Sequence, residues 1–326
     1  MNLAPFDLLY YDDIIIKKGL KMNSVKNAIL TLLIIFTVIP NIAHAEYKIS
    51  FTSESFKINI PKSDSPVPFS GALSEATFNG LHLSSNDLIY AMDITFSPDG
   101  KNVYIVVSNP DTVFQYKLTN AWDITTASYH GRAVSSGFDS FPVALDFKND
   151  GTQMFTAGNS HNRIAVHNLS TPWDVTTASY STFGSIDSTI IDHPSDIQFY
   201  NNGKNILISD YTTDKIYDFS VPLEWNPNNM TLVRTSLPMN NQTPSLNGFH
   251  LLNDGVTLLT TGQSSDSVHR FKLLTKNDIT SIQYQDDSLF VRSYEGNPGG
   301  VFLSNDKSKF YVTGAGDSNI IEYLIP

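Results

Sequence analysis

Aspartate, histidine and tyrosine are the side chains of this sequence best placed to do chemistry, because several of them recur in one register. Asp93 and Asp196 stand seven residues before Gly100 and Gly203, while Asp146 and His250 stand five before Gly151 and Gly255. Tyr90 and His193 lie just ahead of the first pair. Two or three carboxylates brought together could hold a hard cation such as Ca2+, which takes oxygen ligands in irregular geometry, and a bound cation could polarise a carbonyl. Asp93, Asp146 and Asp196 are therefore the candidate metal ligands. Tyr90, Asp93, Asp146, His193, Asp196 and His250 are the candidate ligand-binding set. The alternative is that these are turn residues or water-bonded linings. No catalytic residue is assigned, since the set matches no known arrangement of nucleophile, base and orienter.

Other chemistry is thinly represented. The eight histidines form no HExxH and no close pair with metal spacing, and no G-x-S-x-G elbow, P-loop or EF-hand pattern occurs. Asp111, Asn162, Asp214 and Asp266, each eleven after a glycine of the register, read as turn formers. The chain has no cysteine, so disulfides and thiolate chemistry are excluded. A net charge of -11 argues against a polyanionic partner such as nucleic acid.

The elements that carry these residues follow from an internal repeat. Gly100, Gly151, Gly203 and Gly255 are 51 to 52 residues apart, and Lys307 continues the series. Around them FSPDGKNVYIVV, FKNDGTQMFTAG, FYNNGKNILISD, LLNDGVTLLTTG and LSNDKSKFYVTG share an apolar residue, a tight polar turn and an alternating β-rich run. A period of this length with several strands per unit predicts a propeller. In the first unit the strands are AMDITF, NVYIVV, TVFQYKL and ASYHGRAVSS. Phe96, Phe147, Phe199, Leu251 and Leu303 form one apolar column; Tyr116, His167, Phe219, Phe271 and Tyr323 form a second. Both are expected in the core.

The fifth unit ends after its third strand, and Phe78 stands 51 residues before Tyr129 of the first unit's fourth strand. The expected fold is thus an all-β propeller of five four-stranded blades over residues 75–326, its last blade completed by an N-terminal strand near 75–85. Such closure removes open edges.

Trp122, Trp173 and Trp225 form another column, with Asn277 in the fourth unit, each followed by Asp or Asn. Two readings stand: an apolar anchor pinning an Asx or Ser/Thr turn to the blade, or a rim of exposed rings that stack on sugars, making a multivalent carbohydrate-binding protein.

Met22 to Ala45 has a Lys before an apolar stretch and ends in Ala-His-Ala, the pattern of a secretory signal cleaved after Ala45. Its apolar stretch is shorter than the ~20 residues that span a bilayer. Residues 1–21 read as an upstream extension, with Met22 as the start, and residues 46–74 as extra strands or a cap.

The unit DITFSPDGKNVYIVVSNPDTVFQYKL resembles the bacterial YVTN repeat of lactonase-like and surface-layer propellers, and LTNAWDITTASY with LSTPWDVTTASY resembles units of exported bacterial and phage-encoded propellers without an assigned activity. The resemblance implies a β-propeller. Lactonase-like relatives are described with seven blades, and this chain has room for five. The reading of function is an exported, secreted or periplasmic binding or interaction module, monomeric, whose partner is a protein, glycan or small molecule. Its first alternative is a lactonase- or esterase-like hydrolase using a divalent cation such as Ca2+ at the channel mouth; its second is the lectin-like propeller.

Overall fold

Short runs of β-branched and aromatic residues, each closed by a polar turn, have one way to bury their apolar columns: pair into small antiparallel sheets and stack the sheets face to face. The computed structural model of the chain describes residues 14–16, 48–51, 56–59, 69, 71–83, 88–134, 140–316 and 319–326. The chain divides into two units, residues 1–67 and 68–326. In the first, β1 (Ile14–Ile16), β2 (Lys48–Phe51) and β3 (Phe56–Asn59) form an antiparallel sheet in the order β1-β3-β2. The proposed export signal at 22–45 lies outside the described residues, as does most of the 1–21 extension.

The second unit is a five-bladed propeller. Blade 1 is β5 (Ala91–Phe96), β6 (Asn102–Ser108), β7 (Asp111–Leu118) and β8 (Ala127–Val134); blade 2 is β9 (Pro142–Phe147), β10 (Gln153–Gly158), β11 (Arg163–Leu169) and β12 (Ala178–Ser185). Blade 3 is β13 (Pro194–Tyr200), β14 (Asn205–Asp210), β15 (Lys215–Ser220) and β16 (Thr231–Thr235); blade 4 is β17 (Leu246–Leu251), β18 (Thr257–Gly262), β19 (Ser267–Leu273) and β20 (Ile282–Phe290). Blade 5 joins β21 (Pro298–Leu303), β22 (Lys309–Gly314) and β23 (Ile320–Leu324) to β4 (Thr77–His82), the expected N-terminal closing strand. The innermost strands β5, β9, β13, β17 and β21 touch in sequence around a closed ring.

Each first hairpin turns through a left-handed residue: Gly100, Gly151, Gly203 and Gly255 at φ between 69 and 76, and Lys307 at 61. The Trp column completes this turn. The N–H of Trp122, Trp173, Trp225 and Asn277 donates to the carbonyl of the corresponding glycine, and the indoles of the three tryptophans lie where a glycine Cβ would be, within 2.4 Å of the ideal position. The following Asp123, Asp174 and Asp278 accept the N–H of Thr125, Thr176 and Thr280 and cap a short 3-10 turn. Neighbouring blades hold the column: Tyr104 Oη and Gln115 Nε2 donate to the Trp173 carbonyl at 2.8 Å, and Tyr311 Oη donates to that of Trp122. Sugar stacking needs an open indole face. Trp122 and Trp225 are only 8% and 7% exposed and Trp173 is half-buried, so the rings are packed against the turns as anchors and do not stand open as a rim.

A clasp secures the closing segment. Asp287 accepts the N–H of Leu73 and of Ser74 at 3.0 Å and pairs with Arg270 at 2.9 Å, and Arg270 also donates to the Gly71 carbonyl.

Candidate functional site

Every innermost strand carries a β-bulge near its start, between Ala91 and Asp93 in β5 and at the matching place in each of the other four. A bulge re-aims side chains and is common beside functional sites. Here it separates two cavities, one at each end of the ring of strands.

The first cavity, about 170 Å3, is lined by Asp93, Asp146, Asp196 and His250 together with Gln198 and Asn149. The carboxylates do converge, as the register implies, but each is taken up by backbone amides. Asp93 accepts from its neighbour Ile94 N at 2.7 Å and from Leu145 N of the next blade at 2.9 Å. Asp146 does the same with Phe147 N and Phe199 N, and Asp196 with Ile197 N and Phe249 N. Gln198 Oε1 accepts from Leu251 N, and His250 Nδ1 from Leu303 N, so the series runs from blade 1 to blade 5.

Burial penalises the charged form of these groups. It pushes Asp93 up to about 7, with the Asp146 charge adding to it, and Asp146 up to about 7. Asp196 is raised by burial and by the charges of Asp93 and Asp146. Burial holds His250 down to about 4, in keeping with an Nδ1 that must stay unprotonated to accept. Among the described residues no group of three or more His, Asp or Glu side chains is placed to hold a metal ion. The oxygens of Asp93, Asp146 and Asp196, the carboxylates expected to hold a cation, are engaged by these amides as locks between blades.

The second cavity, about 280 Å3, opens where the loops enter the innermost strands. Tyr90 and His193 are here, separated from the four candidates of the first cavity, so the six do not form one site. Tyr90 and Phe141 occupy the same repeat position, ten before the glycine, with φ of 62 and 67. Left-handed backbone is rare for aromatic residues, and it is held by contacts: Tyr90 O accepts from Ser108 N, and Phe141 N donates to Asp111. Met92 and Val143, at the bulge, continue this apolar wall.

The facing wall comes from blades 2 to 5 and is polar: Asn159, His193, Ser195, Asn247, Gln263 and Asn297. Asp192 Oδ2 lies 3.0 Å and Thr212 Oγ1 3.1 Å from His193 Nδ1; the carboxylate, which can only accept, favours the tautomer with the proton on Nδ1 and Nε2 as an acceptor. Tyr211 Oη donates to Gln263 Oε1 at 2.6 Å, which leaves the Gln263 Nε2 hydrogens for another acceptor. The Ser195 hydroxyl is buried and bonded to Ser209 and to the Leu246 carbonyl, and so is no free nucleophile.

Sequence reasoning missed the bulge residues Met92, Val143 and Ser195, and the column eight after the glycine, Asn159, Tyr211 and Gln263. The second lies one residue beyond the aligned β-rich runs, where the fixed register of the repeat would have reached it. The eleven-after column behaves as expected of turn formers: Asp111 and Asp214 bind the amides of Phe141 and Leu246 in the next loop.

A family model described as "Lactonase, 7-bladed beta-propeller" matches residues 65–284, ending within β20. No curated protein matches the chain. Among solved structures, Myxococcus xanthus glutaminyl cyclase shares the fold at a TM-score of 0.54 and 9% identity, covering 77% of this chain and 96% of that one. A functionally unknown protein of Desulfotomaculum acetoxidans aligns at a TM-score of 0.41 and 13% identity over 68% of this chain; the alignment spans 62% of that protein, less than two thirds of its length.

Proposed function

The chain belongs to the lactonase β-propeller family, and from that premise we propose that it is a lactone hydrolase working in the loop-side cavity, with His193 as general base. The observation that carries the reading is the Asp192–His193 pair on the rim of a cavity whose other polar groups are side-chain amides and hydroxyls, with no second ionisable acid or base of the Asp, Glu, Lys or Arg kind. In the proposed reaction His193 Nε2 takes a proton from water as the water oxygen bonds to the lactone carbonyl carbon. Amide hydrogens, those of Gln263 Nε2 foremost, stabilise the oxyanion. Collapse breaks the ring C–O bond, and the imidazolium returns its proton to the leaving alkoxide, giving a hydroxy acid. Asp192 orients the ring and stabilises the imidazolium.

The cavity supplies one histidine and no carboxylate, which is a poor donor set for Ca2+. No step is routed through a cation.

The test is turnover of simple lactones by purified residues 46–326. His193→Gln should lower kcat/KM by roughly 10²-fold or more while leaving the melting temperature within about a degree, because this side chain is half exposed. Undiminished turnover in the variant rules out the assignment. Binding without turnover would restore the interaction-module reading. Export is part of the same proposal and rests on Met22–Ala45; N-terminal sequencing of protein from its native host should begin at Glu46, and an intact N-terminus would refute it.

A further inference from the structure

The two walls of the loop-side cavity differ in kind, and the division follows the blades. Blades 1 and 2 place Tyr90, Met92, Phe141 and Val143 on one side, whereas the hydrogen-bonding groups come almost entirely from blades 3 to 5. Three blades share the left-handed backbone at the position of Tyr90 and Phe141, the third through Ser245 at φ 59. Only blades 1 and 2, side by side, put aromatic rings on it. Both rings are 42% exposed, an unusual state for adjacent large apolar groups unless something covers them.

Charge is the second observation. Neither cavity is lined by a single Lys or Arg. Asp93 and Asp196 follow directly on the bulge residues Met92 and Ser195, and the chain carries a net charge of -11. A phosphate or carboxylate entering the mouth would meet no cation, and a buried unpaired charge is strongly unfavourable. A volume of about 280 Å3 sits just below the range of about 300–1,000 Å3 typical of drug-sized ligands, so the occupant is small.

We infer that the cavity selects an uncharged lactone bearing an aliphatic or aromatic arm, the carbonyl end on the amide and His193 wall and the arm against Tyr90 and Phe141. This rests on the lactonase reading of the same cavity. It excludes phosphorylated sugar lactones as substrates.

Three probes test it: δ-decalactone, whose pentyl arm should lie on the aromatic wall; δ-valerolactone, which has no arm; and 6-phosphoglucono-δ-lactone, which is anionic. The expected order of kcat/KM is the order given, with no measurable turnover of the last. Tyr90→Ala and Phe141→Ala should each reduce the decalactone-to-valerolactone ratio by about tenfold, and Phe141→Leu should keep most of it. A ratio unmoved by both alanine variants, or efficient turnover of the phosphorylated probe, overturns the inference. If no lactone is turned over, calorimetric titration separates the two proposals: δ-decalactone binding that weakens in Phe141→Ala upholds the ligand class and removes hydrolysis, and absence of binding removes the ligand class as well.

Discussion

Opposed titrations meet at the residue scale. The axial aspartates have folded pKa values above those of the unfolded chain, about 7 for Asp93 and Asp146 against 3.8. Their contribution to stability is complete below pH 4 and is lost as pH rises through 7. His167, His250 and His269 are held by burial at about 4 against 6.5, so they cost stability as pH falls through the same window. The two sets oppose each other across pH 4.5 to 7. Asp146→Asn removes one acidic member and shifts the balance toward the histidines. On acidification from pH 7 to 4.5 its melting temperature should therefore fall relative to that of the intact chain, in a calorimetric series at constant ionic strength. Parallel profiles for the two chains would show that Asp146 ionises normally. The same substitution should also lower stability by ~1–3 kcal/mol at any pH in this range, since an amide nitrogen cannot accept the N–H of Phe147 or Phe199.

The glycine turn and the tryptophan that closes it form a single structural element repeated around the ring. A Cβ on Gly203 would stand 2.3 Å from the Trp225 ring at φ 76, so Gly203→Ala meets both a clash and a strained backbone. Trp225→Ala leaves a cavity under the same turn and should cost ~3–5 kcal/mol. Because both changes damage one element, their effects should be less than additive in a double-mutant cycle by urea denaturation. Full additivity would mean that the indole and the turn are independent. Asn277 supplies the same backbone bond to Gly255 without an indole, which shows that the backbone geometry, and not the ring, is common to the four units.

For the whole molecule the decisive feature is closure. β4 pairs with β23 from Thr77↔Leu324 to His82↔Ile320, and Asp287 holds the segment that leads into it. Removing residues up to Asn86 strips blade 5 of its outer strand and exposes the edge of β23. The truncated chain should lose more than 10 degrees of melting temperature and elute in size-exclusion chromatography as a larger species than the intact chain. A folded, equally heat-resistant truncated monomer would mean that the ring does not depend on its N-terminal strand. Asp287→Ala, which frees the segment while leaving β4 in place, should show a smaller loss of the same kind.

Periodicity made the architecture legible before any coordinates. A fixed spacing of Gly100, Gly151, Gly203 and Gly255, fixed apolar columns and one strand out of place at each end determine five four-stranded blades, because hairpin turns and alternating burial are local properties of the chain. The site was not legible in the same way. Tyr90 and Asp93 are three residues apart in sequence, as are His193 and Asp196, yet the bulge at Met92 and Ser195 turns the aspartates into the interior of the ring and leaves Tyr90 and His193 at the mouth. Whether a carboxylate binds a ligand or the amide of the next blade depends on groups about 52 residues away, and only the packing of one blade against another brings those groups into contact.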